Sequence, residues 1–237
     1  SVIKSEGKAK YALGSVLGHV LMHQTVNGNE ALLQMEQAGD YPDIIVGCTG
    51  GGSNLAGLMF PFLGNQLRGG SKIDIIGCEP LSCPSFTKGK YAYDHGDMAR
   101  MTPLIKMHTL GSDFLPPSNH SGGLRYHGMS YHLSHIYDLG LMRAVAYGQK
   151  DCFEAGVIFA KQEGIIPAPE ANHAVKGAID VALDCKRKGE SKTILFNLCG
   201  HGHFDMTAYD DYFSGKLADD YYDESNVNNS LSALPEV

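Results

Sequence analysis

One stretch of this sequence brings together glycine, hydroxyl and amide groups in an order suited to holding an anion: Thr49-Gly50-Gly51-Gly52-Ser53-Asn54. Glycine lets the backbone turn tightly and brings its N–H groups close to a bound group. The preceding Ile44-Ile45-Val46-Gly47-Cys48 is a short apolar run that reads as a buried parallel strand. Asn54 to Phe62 reads as a helix. A strand that turns through glycines into a helix offers unpaired N–H donors and the positive end of the helix dipole to one anion. Ser53 and Asn54 add side-chain donors. The arrangement is a phosphate cradle, although a glycine turn without ligand has the same residues. It is not a Walker loop, since no Gly-Lys-Ser/Thr follows, and it is not G-x-G-x-x-G.

Other residues carry weaker signals. Glu170 opens a helix, where a carboxylate suits the dipole whether or not it has a chemical role. His201-Gly202-His203 with Asp205 has metal-ligand types, but His residues two apart do not share a helix face, and no H-E-x-x-H or Cys pair accompanies them. Loop packing after a strand explains them, and no metal site is expected. Arg125 has the planar fork that suits a phosphate, or it is a plain surface cation. None of the six cysteines (Cys48, Cys78, Cys83, Cys152, Cys185, Cys199) forms C-x-x-C, and most lie in apolar runs. They read as small buried hydrophobes in a reducing compartment.

The elements that must position these groups alternate. Ala9 to Gln37 has helical periodicity. Ile73 to Cys78, Met142 to Tyr147 and Thr193 to Leu198 read as further strands. Gln149 to Glu163, with Asp151 as a cap, Glu170 to Lys188 and Phe204 to Lys216 read as helices. Leu81 to Tyr131 has no strong periodicity, and a stretch of that length is expected to be functional or ordered by a partner. Asp219 to Val237 is polar and is expected to be mobile or pinned to a neighbour. The expected fold is α/β, a mostly parallel sheet with helices on both faces. It occupies residues 1–217 as one cofactor-phosphate domain, with the irregular segment 81–131 inside it and a polar tail at 218–237. Ligands of such sheets gather at the carboxyl ends of strands.

The chain has 237 residues, 43% hydrophobic content and a formal net charge of -7, enough for a proper core and unsuited to nonspecific nucleic-acid binding. The longest apolar stretch, near Leu55 to Leu63, is too short to span a bilayer. The start of the chain lacks the pattern of a secretory signal, so the expected location is the cytoplasm, or an organelle after loss of a transit peptide.

Several motifs together resemble one family. Gly50-Gly51-Gly52-Ser53-Asn54 is similar to the phosphate loop of tryptophan synthase beta chains, which are fold type II pyridoxal-phosphate enzymes. Glu163-Gly164-Ile165-Ile166-Pro167-Ala168-Pro169-Glu170-Ala171-Asn172-His173-Ala174 resembles the family segment whose glutamate lies beside the cofactor ring. Leu195 to His203 resembles the strand end that meets the pyridine nitrogen. Tyr11-Ala12-Leu13-Gly14-Ser15-Val16 and Gly122-Gly123-Leu124-Arg125-Tyr126-His127-Gly128 match in place and order. The resemblance covers roughly residues 8 to 217 and favours the divergent second type of beta chain, its C-terminal part.

The resemblance implies pyridoxal phosphate as cofactor, with Gly50, Gly51, Gly52, Ser53 and Asn54 on its phosphate, Glu170 flanking the ring and Cys199 facing the ring nitrogen. Gly123 and Arg125 fall near the substrate. A monovalent cation on backbone carbonyls also belongs to the family, with Tyr126 and Gly128 as positional candidates. The implied reaction is β-replacement, giving L-tryptophan from L-serine and indole. Cys199 stands where the family usually has serine, and Ala171-Asn172 where it has two serines. Arg125 stands where ordinary beta chains have aspartate, which makes O-phosphoserine conceivable as donor. The family's Schiff-base lysine lies in a His-Lys-x-Asn motif in an N-terminal half. Lys4, Lys8, Lys10, Lys72, Lys88, Lys90 and Lys106 have no such context, so no catalytic lysine is assigned. The implied partner is that N-terminal half or a chain supplying it, within a homo- or hetero-oligomer. The alternative is an inactive scaffold or assembly subunit that kept the fold.

Overall fold

The computed structural model describes Ser5 and residues 7–10, 14–219 and 221–236. Lys4, Glu6 and the Tyr11–Leu13 part of the family resemblance lie outside the described residues. Four parallel strands form the central sheet: β1 (Ile44–Cys48), β2 (Asp74–Pro80), β5 (Arg143–Tyr147) and β6 (Ile194–Phe196), in the order β5-β2-β1-β6. The register pairs Val46 with Ile76 on one side and with Phe196 on the other.

Alternation along the strands sends side chains to two separate cores. Ile45 and Ile75 join Leu55, Met59 and Phe62 on the face covered by α1 (Gly18–Ala38) and α2 (Ser53–Leu67). Ile44, Val46, Ile76 and Cys78 face the other way, against Val181 and Cys185 of α5 (Pro169–Lys188). Both faces are therefore apolar, which is why β1 reads as an unbroken hydrophobic run. Gly28 of α1 and Gly57 of α2 let these two helices approach: a Cβ on Gly28 would lie 2.4 Å from the Leu58 carbonyl oxygen.

Four expectations need correction. The first helix begins at Gly18 rather than Ala9; Val16, just before it, is held at φ 73°, in the left-handed region that a right-handed helix cannot include. The segment 81–131 is not irregular throughout. It carries an antiparallel hairpin, β3 (Lys90–His95) with β4 (Leu104–Thr109), and α3 (Tyr131–Asp138) follows. Its turn is closed by Asp97, whose carboxylate accepts from the N–H groups of Met101 and Thr102. The third concerns the tail, which folds back on this same segment. Helix α7 (Glu224–Ser232) puts Val227 and Leu231 against Cys83, Leu110 and Phe114. Helix α4 (Gln149–Glu163) is capped at Gly148, not by Asp151, and its Lys150 N–H donates to the Asp219 carboxylate at 2.9 Å. Helix α6 (Met206–Phe213) packs through Ala208 and Tyr209 on Phe153 of α4. No helix among the described residues is long and apolar enough to cross a membrane.

Candidate cofactor-binding site

The glycine loop follows β1 and leads into α2 at the carboxyl ends of the strands, where ligands of parallel sheets collect. Packing dictates two of its glycines. A Cβ on Gly50 would lie 2.7 Å from both the Gly123 carbonyl oxygen and the Leu124 Cα. A Cβ on Gly51 would meet the Ser15 Oγ at 2.2 Å. Conformation dictates the third, since Gly52 adopts φ 90°. These close contacts bury the loop from Gly50 to Ser53.

Its donors remain free. Thr49 N–H donates to the Cys78 carbonyl at 2.8 Å, and Ala56 N–H donates to the Gly52 carbonyl at 3.0 Å. Between them, among the described residues, no N–H of Gly50 to Asn54 donates to another protein group. Five neighbouring donors without protein partners at a helix start, four of them on buried residues, fit an anionic group such as a phosphate. The Oγ atoms of Thr49 and Ser130 are also buried without partners, and Ser53 Oγ lies 3.4 Å from Ser15 Oγ.

Glu170 enters from the first turn of α5, after Pro169 at the helix start. Its Oε1 accepts from the Gly123 N–H at 2.8 Å. Gly123 is the residue whose carbonyl abuts Gly50, so Glu170, Gly123 and the glycine loop are contiguous. Beneath Glu170 the His173 ring is fully buried, with Nδ1 on the Pro169 carbonyl at 3.0 Å. Burial pushes its pKa down to about 4, so the ring is neutral and fills space.

The opposite side is built from β1 and the chain after β6. Asn197 donates through Nδ2 to the Asn54 Oδ1. Asn54 in turn donates through its own Nδ2 to the Cys48 carbonyl at 3.3 Å and the Cys48 Sγ at 3.2 Å. The Cys48 Sγ lies 3.5 Å from the Cys199 Sγ. The hydrogen bond between the thiols holds the Cys199 pKa below its ordinary value; that bond, and then burial, push the Cys48 thiol up. Cys199 is exposed and Cys48 is buried.

Gly50 to Asn54, Gly123, Glu170 and Cys199 thus lie around one basin. Arg125 is turned elsewhere: its guanidinium is exposed and donates to the Pro116 carbonyl at 2.8 Å. The Tyr126 carbonyl, a candidate cation ligand, accepts from the Cys83 thiol at 2.8 Å, and Gly128 bridges to Thr109. His201 pairs with Pro167 through a backbone bridge, and its Nδ1 accepts from the His203 N–H at 3.2 Å. Sequence reasoning missed the roles of Cys48 and Asn197. Both were visible at strand ends, but only the β1–β6 pairing brings them close enough for Asn54 to join them.

Comparisons with known proteins agree with this architecture. A family described as "Pyridoxal-phosphate dependent enzyme" matches residues 18–200. The chain is 58% identical over 218 residues to "Tryptophan synthase beta chain 2" of Aquifex aeolicus, covering 91% of this chain and 50% of that one. It is 58% identical to the protein of the same name from Methanosarcina mazei, covering 88% and 47%. It is 52% identical to the "Tryptophan synthase beta chain" of Pyrococcus horikoshii, covering 98% and 50%. The chain spans about half the length of these curated relatives. Among solved structures, a fungal L-serine ammonia-lyase from Rhizomucor miehei superposes with a TM-score of 0.62 at 15% identity, covering 91% of this chain and 64% of that one. A threonine deaminase from T.th. superposes with a TM-score of 0.57 at 16% identity, covering 80% and 54%. At such identities these two speak for the fold alone. With the matched family spanning both the glycine loop and Cys199, the chain belongs to the pyridoxal-phosphate-dependent enzymes, and its curated relatives there are tryptophan synthase beta chains.

Proposed function

We propose that this chain supplies the cofactor-binding portion of a tryptophan synthase that joins L-serine and indole by β-replacement. The observation that carries the reading is the run of unpaired, mostly buried N–H groups from Gly50 to Asn54 at the start of α2. In this assignment Gly50, Gly51, Gly52, Ser53 and Asn54 hold the cofactor phosphate. Glu170, fixed by the Gly123 N–H, stands beside the ring and sets the local charge. Cys199 faces the ring nitrogen, and its sulfur is a softer partner than the serine hydroxyl usual in the family. Gly123 borders the substrate, whereas Arg125, held on the Pro116 carbonyl, does not reach it in this structure, so serine rather than O-phosphoserine is the donor this arrangement supports. Pyridoxal phosphate supplies the electron sink for the pair left on the substrate α-carbon.

The amine that must hold the cofactor aldehyde is assigned to an N-terminal half of the same enzyme or a chain that supplies it. The absence of a His-Lys-x-Asn motif supports that division. So does the apolar rim on the Cys199 loop, where Phe204 is 92% exposed. The same absence is what favours the second reading, an inactive assembly subunit.

The phosphate assignment is tested with pyridoxine 5′-phosphate, which has no aldehyde to trap on surface lysines. Gly51→Asp puts a carboxylate at the cradle and abolishes binding measured by calorimetry; binding equal to the parent's would reject the assignment. The reaction is tested by assaying tryptophan from serine, indole and cofactor. Turnover with the complementary half present and none without it is the expected result. Robust turnover by this chain alone would show that one of its own lysines does the work, and none in either case would favour the assembly subunit.

A further inference from the structure

The two thiols at the floor of the basin form a pair, a relation that the role assigned to Cys199 alone does not use. Cys48 is buried at the end of β1, and Cys199 is exposed three residues past β6. These two strands are paired neighbours, so the thiols face one another across adjacent chain segments rather than meeting by chance of side-chain swing. Their sulfurs are 3.5 Å apart. Asn54 donates an amide hydrogen to the Cys48 sulfur at 3.2 Å, which fixes the position of the buried member of the pair. The other cysteines, Cys78, Cys83, Cys152 and Cys185, are all buried.

We infer that Cys48 and Cys199 are an oxidisable dithiol, a modification site at which a hydroperoxide converts the floor of the cofactor basin to a disulfide. Cys199 is the attacking sulfur because it is exposed and because the Cys48 hydrogen bond favours its thiolate, the nucleophilic form. The Cys199 thiolate takes the terminal oxygen of the hydroperoxide as the O–O bond breaks. This gives a sulfenic acid, and the peroxide's other oxygen leaves with a proton as water or alcohol. The Cys48 sulfur then attacks the Cys199 sulfur. The S–O bond breaks, and hydroxide departs with the Cys48 proton as water. Two thiols are oxidised by two electrons and one peroxide is reduced. Closing the bond needs the sulfurs to approach by about 1.5 Å from their contact distance, to about 2.05 Å.

The disulfide removes the Cys48 donor and draws Cys199 toward β1. In the assignment of Cys199 to the ring nitrogen, on which this consequence rests, the oxidised basin loses its ring partner. Oxidation thereby weakens cofactor binding, and a dithiol reductant restores it. A serine at position 199 cannot form this link.

The test treats the reduced 237-residue chain with stoichiometric hydrogen peroxide and maps its thiols by peptide mass spectrometry. The expected product has lost two hydrogens, links the peptides of Cys48 and Cys199, and leaves the other four thiols free. Cys199→Ser blocks the reaction and keeps Cys48 as a thiol. Cys48→Ser, or Cys48→Ala if the first does not fold, leaves a sulfenic acid on Cys199 that dimedone captures. A disulfide elsewhere, or peroxide consumption that persists in Cys199→Ser, overturns the inference. Pyridoxine 5′-phosphate binding is then measured on both redox forms. At least a fivefold weaker binding after oxidation, reversed by dithiothreitol, is expected; equal binding overturns the switch. If the reduced chain does not bind the probe at all, the cofactor assignment fails, and the thiol map alone decides whether the dithiol exists.

Discussion

The two loops that meet at the basin are held in opposite ways. Gly50 to Ser53 is buried, pressed by Leu124 on one side and by Ser15 and Val16 on the other, with Met129 and Leu133 beneath Gly52. The loop from Cys199 to Phe204 is mostly exposed. Its ties are few: Gly202 N–H donates to the Ile166 carbonyl at 2.8 Å, Ala168 N–H donates to the Gly200 carbonyl at 2.9 Å, and Asn197 reaches Asn54. The Gly50–Ser53 loop, assigned above to the phosphate, is thus closely packed on both sides. The loop after Cys199, assigned to the ring, is shaped by a backbone bridge and one amide pair. Preorganised donors cost nothing to assemble at the moment of binding, whereas a loosely tied loop depends on what later covers it.

Alanine at the two corresponding glycines breaks this comparison most sharply. A Cβ on Gly50 collides with the backbone of Gly123 and Leu124, which cannot swing aside. Gly50→Ala should destabilise the chain by about 2–3 kcal/mol in urea unfolding. A Cβ on Gly200 meets only the Cβ of Ala168, at 3.1 Å. Gly200→Ala should change stability by less than about 1 kcal/mol. Equal costs at both positions would show that the two loops are equally constrained.

Acidity should act through the first turn of α5, which carries Glu170 into the basin. His173 is buried there with its folded pKa depressed to about 4, and its Nε2 has no partner. The neutral ring therefore contributes stability that is present above the unfolded value near 6.5 and is lost as pH falls through 4. That loss is at most about 3 kcal/mol. Glu79, at the end of β2, behaves oppositely. Burial raises its carboxyl to about 7, although Phe86, Thr87 and the Thr87 hydroxyl donate to it. Its contribution is complete below about 4.5 and is lost as pH rises through 7. Glu79→Gln should flatten the stability profile between pH 5 and 7.5 while leaving the acid-side fall intact. A fall that disappeared with Glu79→Gln would mean His173 is not its source.

The contrast between the loops also explains which parts were legible in the sequence. The β1–glycine–α2 unit is local: an apolar run, three glycines and a helical pattern lie consecutively, and each dictates its own conformation. The helices α4 and α5 were readable for the same reason, through periodicity and αL glycines just past their ends, Gly164 and Gly189. The hairpin β3–β4 was not, since its strands contain Lys, Asp and His and are only partly buried, so no alternation of apolar residues marks them. Helix α7 hides its function in two side chains, Val227 and Leu231, that matter only because Cys83 and Phe114 are nearby in space. Within the site, residue types gave Gly50 to Asn54. The family resemblance pointed to Glu170 and Cys199, while the Asn197–Asn54–Cys48 chain exists only through strand pairing.

Asn197→Ala tests that chain with a smaller effect. It removes the donor to Asn54, an amide pair that is partly buried and joins the two loops. A stability loss of about 1 kcal/mol is expected. Asn54 would then lose one restraint on its amide, so pyridoxine 5′-phosphate binding should weaken about threefold. Full stability together with full binding would show that the loops are coupled by the backbone alone.

The smallest effect on stability is expected at Phe204, where the exposed loop is most exposed. The ring is 92% accessible, and its one aromatic neighbour among the described residues is His201, at 5.5 Å between centroids. A ring with so little packing contributes almost nothing to the fold, so Phe204→Ser should shift stability by less than about 0.5 kcal/mol. Its energetic weight lies between molecules. Phe204 belongs to a series of accessible apolar side chains that includes Met206 at 50%, Phe213 at 67% and Ile165 at 46%. Apolar area left in water favours association at about 25 cal/mol per Å² covered. The chain should therefore self-associate in sedimentation as its concentration rises, and Phe204→Ser should move that association to higher concentration. If the variant instead unfolded more readily and sedimented unchanged, Phe204 would be part of the chain's own packing. The ring-end loop would then be as well supported as the phosphate loop.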